Sequence, residues 1–528
     1  MKFYSSMIFL FFSAFFCFGQ NIENAATKSL SFNDAINLAL ENNYEIKRQR
    51  YALAIAKSQF RQAKGSLDIE AGAQAQYSLK QNPVDENDPN YNYGYSWMNP
   101  SATYGISSDN TVQEQTAGSI FLKKLFSFGL ETKLSYTVQR HKLKPNYSYD
   151  DFYFGEKYEQ EDGRNSGEVA LEFSLPLFKS FKNSLTALQL ESAKGYIEEM
   201  EYVLQDTISR SIITVSESYW NYFLSCKNVM HLEILLKKIE ERNASMDGMI
   251  KAGVRPRNDM LAMQVNVNET RRQFQEAKVQ QNKAKIELMT VLGTNDFTII
   301  SEPENPFAEI DLKSVQIPQQ NDLTEEFFNS VESNRTDLLS LKKNMELAEA
   351  KIRLTKADRL PDASLNFSIG TTGATYSDKA GKIASSGFKN NHGVNLNGAL
   401  GASIKLGNNT KAGAVEQAEA EYNSSVNEYN KARNTVAIQI HNATDKLEIY
   451  KNLVADADEV LVLNKQLYDN EQKRFSAGLI TVDNLLSQDQ KFISAELSYY
   501  QVLVNYMQAI LEYKYYTASL VGIDKNLF

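Results

Sequence analysis

Turn-forming residues are scarce in this chain, with 25 glycines and 10 prolines in 528 residues. So little punctuation over that length implies long elements rather than a string of small domains. The four histidines, at 141, 231, 392 and 441, are scattered outside any HExxH pattern, and no CxxC occurs. The common zinc and redox motifs are therefore missing. The glycines of 370–381 surround Lys379 but lack the spacing of a phosphate loop. No enzyme, cofactor or metal site is expected. Basic blocks are absent as well: the formal charge is −9 and Lys and Glu are intermixed, which argues against a nucleic-acid partner.

Cysteine is nearly absent, with two residues. Cys17 lies in the leader: Lys2 precedes an apolar run, Met7 to Phe18, too short for a membrane span but suited to a secretory core. Cys17-Phe18-Gly19 places small residues at −3 and −1 before Gln20, so residues 1–19 read as a signal peptide. Phe15 and Phe16 do not resemble a lipidation box. Loss of the leader leaves Cys226, on an apolar helical stripe, and excludes an intrachain disulfide. No further run reaches the roughly 18 apolar residues of a membrane helix, so a membrane would have to be crossed by strands.

What the chain has is alternation between two periods. Phe32, Ala35, Ile36, Ala39 and Leu40 fit one helical face with Ser31 as N-cap, and a second helix runs from about Asn43 to Gly65. The period then becomes two: Ile69, Ala71, Ala73, Ala75, Tyr77 and Leu79 alternate with polar residues over a length suited to a tilted membrane strand. Residues 81–115 read as a loop, 117–125 and 130–140 as a hairpin whose first arm alternates poorly, 142–167 as a second loop, and 169–177 as a strand. From Asn183 to Gly253 only isolated Gly195 and Gly248 interrupt a helical pattern, and a return helix reaches Leu292-Gly293. The Pro-containing segment 294–321 separates the halves.

The plan then restarts. Helices are expected over 322–360, strands over 362–407 and a long helical hairpin over 409–522. Without gaps, Leu53, Ala54, Ala56, Lys57, Ala63 and Asp68 match Leu347, Ala348, Ala350, Lys351, Ala357 and Asp362, and the strand phase continues in register. Residues 20–293 and 322–528 thus read as two repeats. The first holds helices at 31–66, strands and loops at 68–178 and a hairpin at 181–293. In the last long helix the apolar positions from 412 to 461 average 3.5 residues apart, the left-handed coiled-coil period.

Two short breaks mark the hairpin tips, one at Ala252-Gly253-Val254 and the other at Phe475-Ser476-Ala477-Gly478-Leu479-Ile480-Thr481. With Leu175-Pro176-Leu177-Phe178, Asp259, Leu261, Leu292-Gly293 and Val521-Gly522, these residues and the duplicated plan resemble the TolC-type outer-membrane efflux family over essentially the whole mature chain. The resemblance implies a membrane β-barrel joined to a long α-helical coiled-coil barrel, an α+β tunnel of two repeats completed by a homotrimer. It also implies a bacterial outer-membrane location, a passive exit duct, a periplasmic adaptor protein as direct partner and an inner-membrane transporter as indirect one.

By the same resemblance the adaptor would meet Gly253, Val254, Phe475, Gly478, Leu479 and Thr481. Asp259, Asp483, Asn484 and Ser487 would stand near the pore constriction. In TolC itself acidic residues after the tip ring the pore and an arginine helps lock it; here Asn484, Ser487 and Ile480 take those places, so that chemistry is not carried over. Four strands per chain, hence about 12 in a trimer, are preferred, with the 117–140 hairpin as an extracellular extension; a hairpin that spans would make it six per chain and about 18. A periplasmic adaptor or a structural coiled-coil envelope protein are the competing readings. Two hairpins weaken the first of these, and strands in matching phase weaken the second.

Overall fold

The computed structural model describes residues 30–83, 108–147, 162–251, 257–296, 303–305, 307, 323–375, 385, 393–477 and 479–520. The leader, the tip residues Gly253, Val254 and Gly478, most of 294–321, the middle of each long loop and the terminal Val521-Gly522 lie outside these. The described elements are α1 (Phe32–Asn42), α2 (Tyr44–Gly65), β1 (Ile69–Pro83), β2 (Ser108–Leu125), β3 (Glu131–Tyr147), β4 (Asp162–Pro176), α3 (Leu185–Lys251) and α4 (Arg257–Leu292). They continue with α5 (Glu325–Asn334), α6 (Thr336–Arg359), β5 (Asp362–Thr375), β6 (Gly393–Ser403), α7 (Asn409–Ser476) and α8 (Val482–Tyr516). Two compact units result. One takes in the described residues up to Tyr51, then Val203–Asp337, and those from Arg433 on; the other takes in Ala52–Tyr202 and Leu338–Ala432.

The first unit is helical. Its core gathers Ala35 and Ile36 from α1, Ile212, Tyr219 and Trp220 from α3, Leu288 and Leu292 from α4, and Val504, Tyr506 and Met507 from α8, all buried. Burial of each large side chain contributes roughly 1.5–3 kcal/mol. The Tyr219 hydroxyl, the one polar atom of that ring, donates to Leu30 O at 2.8 Å, so the ring is buried without an orphaned group.

Local chemistry sets the ends of these helices. Ser31 caps α1 by accepting from Asp34 N at 3.1 Å, as its sequence position predicts. Asn43 then serves three groups: its Oδ1 accepts from Glu45 N at 2.8 Å and from Ile46 N at 3.2 Å, and its Nδ2 donates to Val291 O at 2.8 Å. Gly293 follows with φ +70, and a Cβ there would meet Asn42 O at 2.5 Å, so both the turn and the close approach require glycine.

The second unit carries a six-stranded antiparallel sheet in the order β1-β2-β3-β4-β5-β6. The hairpin expected to be an extension is part of it. Residues 69–83 of β1 pair with β2, and β3 pairs with residues 162–174 of β4. The described residues contribute six strands to this sheet, not four. Alternation in β2 was obscured because Phe121 stands among polar residues, where its ring occupies the space over Gly72; a Cβ on Gly72 would lie 2.4 Å from it. The strands also run further than expected, β3 to Tyr147, β4 from Asp162 and β5 to Thr375, through polar stretches that carry no alternation. Conversely β6 ends at Ser403: Gly407, at φ +87, turns the chain, and Leu406 is exposed.

Ala56 and Ala350, matched by the gapless alignment, are both buried in this unit.

Candidate functional site

Two regions of this protein hold the candidate residues, one in each unit. In the sheet, antiparallel register aligns residues from all six strands in rows. Ala71, Leu122, Leu134, Leu171, Ile369 and Leu396 form one row, and Ala73, Ile120, Tyr136, Val169, Thr371 and Val394 the next. Most of these side chains are exposed: Ile120 at 60%, Leu396 at 65% and Val394 at 77%. Contiguous apolar rows of this extent on a soluble surface would be a severe liability, whereas against lipid they are favourable.

The alternate residues give the opposite face. Glu70, Lys123, Lys133, Glu172, Ser368 and Asn397 form a polar row, with Lys123 paired to Glu131 at 3.0 Å and Lys133 to Glu172 at 3.3 Å. Asn395 Nδ2 donates to Thr372 Oγ1 at 2.5 Å and to Glu168 Oε1 at 3.3 Å. One face suits hydrocarbon and the other water, as a channel wall requires.

The second region is the end of the α7–α8 hairpin. Leu479 N donates to Arg474 O at 2.9 Å, closing the last turn of α7, and Thr481 Oγ1 accepts from Asn484 N at 3.3 Å, capping α8. Leu479 is 69% exposed, an apolar side chain held out at the turn. Phe475 is half-buried, with the Arg242 guanidinium 5.9 Å from its ring centroid. Asn484 and Ser487 face solvent, while Leu485 and Leu486 of the same turns are buried. Asp259 and Asp483 lie in the first turns of α4 and α8, but their side chains lie outside the described residues.

Sequence reasoning left Asp489 without a role, and here it is the centre of the local electrostatics. Its side chain is 2% exposed and accepts from Lys238 Nζ at 3.3 Å and from Arg242 Nη2 at 3.2 Å. Lys238 Nζ also donates to the Tyr468 hydroxyl at 3.0 Å, and Tyr468 stacks on Phe492 at 5.4 Å. Burial works against the Lys238 ammonium, yet Tyr468 and Asp489 together hold its pKa above the ordinary lysine value. The available signal was the position of Asp489 three and four residues after the buried Leu486 and Leu485: an acid in an apolar stripe needs a partner. The cluster ties α3 to both arms of the other hairpin.

The comparisons with known proteins agree with this architecture. Residues 328–512 match the family model described as outer membrane efflux protein. The fold is shared at low identity with solved structures, among them three outer membrane proteins. The Campylobacter jejuni CmeC outer membrane channel is 14% identical with a TM-score of 0.60, over 94% of this chain and 87% of that one. The open state of the Neisseria gonorrhoeae MtrE outer membrane channel is 15% identical with a TM-score of 0.60, over 94% and 90%. The Vibrio cholerae outer membrane protein VceC is 13% identical with a TM-score of 0.58, over 92% and 96%. No curated protein matches the sequence.

Proposed function

We propose that this chain, whose residues 328–512 match the outer membrane efflux protein family, is a TolC-type exit duct of a tripartite efflux or type I secretion assembly, passively conducting substrates delivered by an adaptor and an energised inner-membrane transporter. The observation that carries this reading is the open six-stranded sheet with one apolar and one polar face. Its outer strands, β1 and β6, leave backbone groups unpaired, which hydrocarbon does not tolerate. Three copies closing edge to edge satisfy them and make a barrel of about 18 strands, a size that leaves an aqueous channel.

Adaptor contact falls to the tips: Gly253, Val254, Phe475, Gly478, Leu479 and Thr481, with the exposed Leu479 as apolar anchor. Asp259, Asp483, Asn484 and Ser487 are assigned to the constriction, supported by the solvent-facing side of α8 on which Asn484 and Ser487 stand.

The test is direct. Outer-membrane extracts are expected to yield a species of three chains that opens water-filled pores in planar bilayers. Recovery as a soluble periplasmic monomer would sink the reading. For the tip, Gly478→Trp is expected to leave that species intact while abolishing adaptor cross-linking and efflux; unchanged efflux would remove the assignment.

A further inference from the structure

The polar face of the sheet holds a groove of about 240 Å³ that spans β3 to β6. Glu131, Lys133, Glu172 and Ser174 come to it from β3 and β4, and Asn366, Ser368, Asn397 and Ala399 from β5 and β6. Phe173 and Phe367 border it through their backbone. Strand alternation turns their rings to the apolar face, where the centroids lie 6.4 Å apart. Apart from Ala399, each side chain that lines the groove carries hydrogen-bonding groups.

Such a lining disfavours two classes of ligand. Sites for apolar molecules are lined predominantly by hydrophobic and aromatic side chains, and this one is not. Charged molecules meet a wall that has already balanced itself, with Glu131 paired to Lys123 at 3.0 Å and Glu172 to Lys133 at 3.3 Å. Further along the same face, the cross-strand row Gln76, Ala117, Gln139, Ser166 and Ala374 carries no charge.

Hydrogen bonds of both senses are what the groove offers. Ser174 Oγ donates to Asn366 Oδ1 at 2.7 Å, Asn366 Nδ2 to Ser364 Oγ at 3.3 Å, and Asn397 Nδ2 to Ser368 Oγ at 3.4 Å. The series continues along β5 and β6 in Thr372 and Asn395, joined at 2.5 Å. A primary amide has two N–H donors and two carbonyl lone pairs, and a hydroxyl has one donor and two lone pairs. These contacts hold the side chains in place and use part of that capacity. Asn366 and Asn397 are both exposed, so the remainder is open to a ligand.

Resting on the exit-duct reading above, we propose that this groove is a subsite for an uncharged, hydroxyl-rich ligand, one sugar ring of an oligosaccharide, and that oligosaccharides are a substrate class the duct carries. Each sugar hydroxyl both donates and accepts, and a wall of amides, hydroxyls and neutralised ion pairs satisfies it without asking for charge in the ligand. The ladder from Ser364 to Asn395 lets such a chain exchange one set of hydrogen bonds for an equivalent set as it advances. Weak, repeated contacts suit a conduit, which has to release what it binds.

The test uses full-length protein in a detergent without a sugar headgroup, with pore formation in planar bilayers measured alongside. Equilibrium dialysis is expected to show saturable retention of maltohexaose, and none of spermine or of a methyl-capped polyethylene glycol of matched length, whose ethers only accept. Asn366→Leu with Asn397→Leu is expected to weaken retention about tenfold, the loss of about two net hydrogen bonds. Asn366→Asp with Asn397→Asp keeps the shape and a hydrophilic wall but removes the amide donors, and is expected to do the same. Thr371→Val, on the other face of β5, is expected to change nothing. No retention of maltohexaose, equal retention of the capped polymer, preference for spermine, or indifference to both double variants overturns the subsite. Any of these results in a pore-forming protein leaves the duct standing. A protein that makes no pores overturns the duct, and the subsite's part in transport with it.

Discussion

Arg335 grips Asp337 through two parallel hydrogen bonds, Nε to Oδ1 at 2.7 Å and Nη2 to Oδ2 at 2.9 Å. The third arm of the guanidinium donates to Tyr516 O at 3.2 Å, and its plane lies 5.0 Å and 5.5 Å from the ring centroids of Tyr515 and Tyr516. Arg335 is the junction between α5 and α6, so this contact fixes the start of α6 to the end of α8.

Lysine cannot reproduce the fork or the stacking. Arg335→Lys is expected to cost about 2–4 kcal/mol, since it leaves Asp337 and Tyr516 O poorly served in a buried site. Thermal unfolding in detergent, followed by far-ultraviolet circular dichroism, checks this; an unchanged transition would reduce the contact to decoration.

Asp489 gives a second expectation. Asp489→Ala strips two cations of their counter-charge in a buried cluster and is expected to destabilise the hairpin end by about 3–5 kcal/mol. Ser487→Ala, two residues away and exposed, is expected to be silent. Hydrogen exchange of the α8 first-turn amides distinguishes them, with faster exchange in the Asp489 variant alone.

Acid lability should trace in part to His231, which is buried 3.5 Å from Glu496. Burial lowers its pKa, Glu496 raises it in part, and Lys227 lowers it again, for a net value below the ordinary 6.5. The unfolded chain therefore takes up the proton first. Stability is complete above about pH 6.5 and is lost as the pH falls toward the folded value. His231→Gln should flatten that slope between neutral and mildly acidic pH; an identical slope would exclude His231 as a source.

The sheet predicts opposite outcomes for neighbouring substitutions. Leu171→Arg places a charge in the apolar row and is expected to cost about 2–4 kcal/mol, with much less protein reaching the outer membrane. Thr137→Arg, on the polar face, is expected to accumulate normally. Immunoblotting of membrane fractions reads both.

Much of this architecture was legible because periodicity and burial agree. The phase of β1 and β5, the cap at Ser31 and the core stripe of α7 could be read without a fold. Two features resisted for physical reasons. Phe121 breaks the alternation of β2 because it packs over a glycine on the next strand, a relationship that exists only once the strands pair. Asp489 looks like an isolated acid until α3 brings Lys238 and Arg242 beside it. In the candidate site, sequence picked out the turn, but not the ionic contact behind it.

The β2–β3 hairpin also bears on how such conduits diversify. It sits between β1 and β4, and because all neighbours are antiparallel, β1 and β4 would still run in opposite directions if it were removed. Strands enter or leave this sheet in pairs without reversing any other strand. In the threefold assembly proposed above, one inherited hairpin changes the circumference by six strands at once. Bore would then be a trait that selection can alter in large steps.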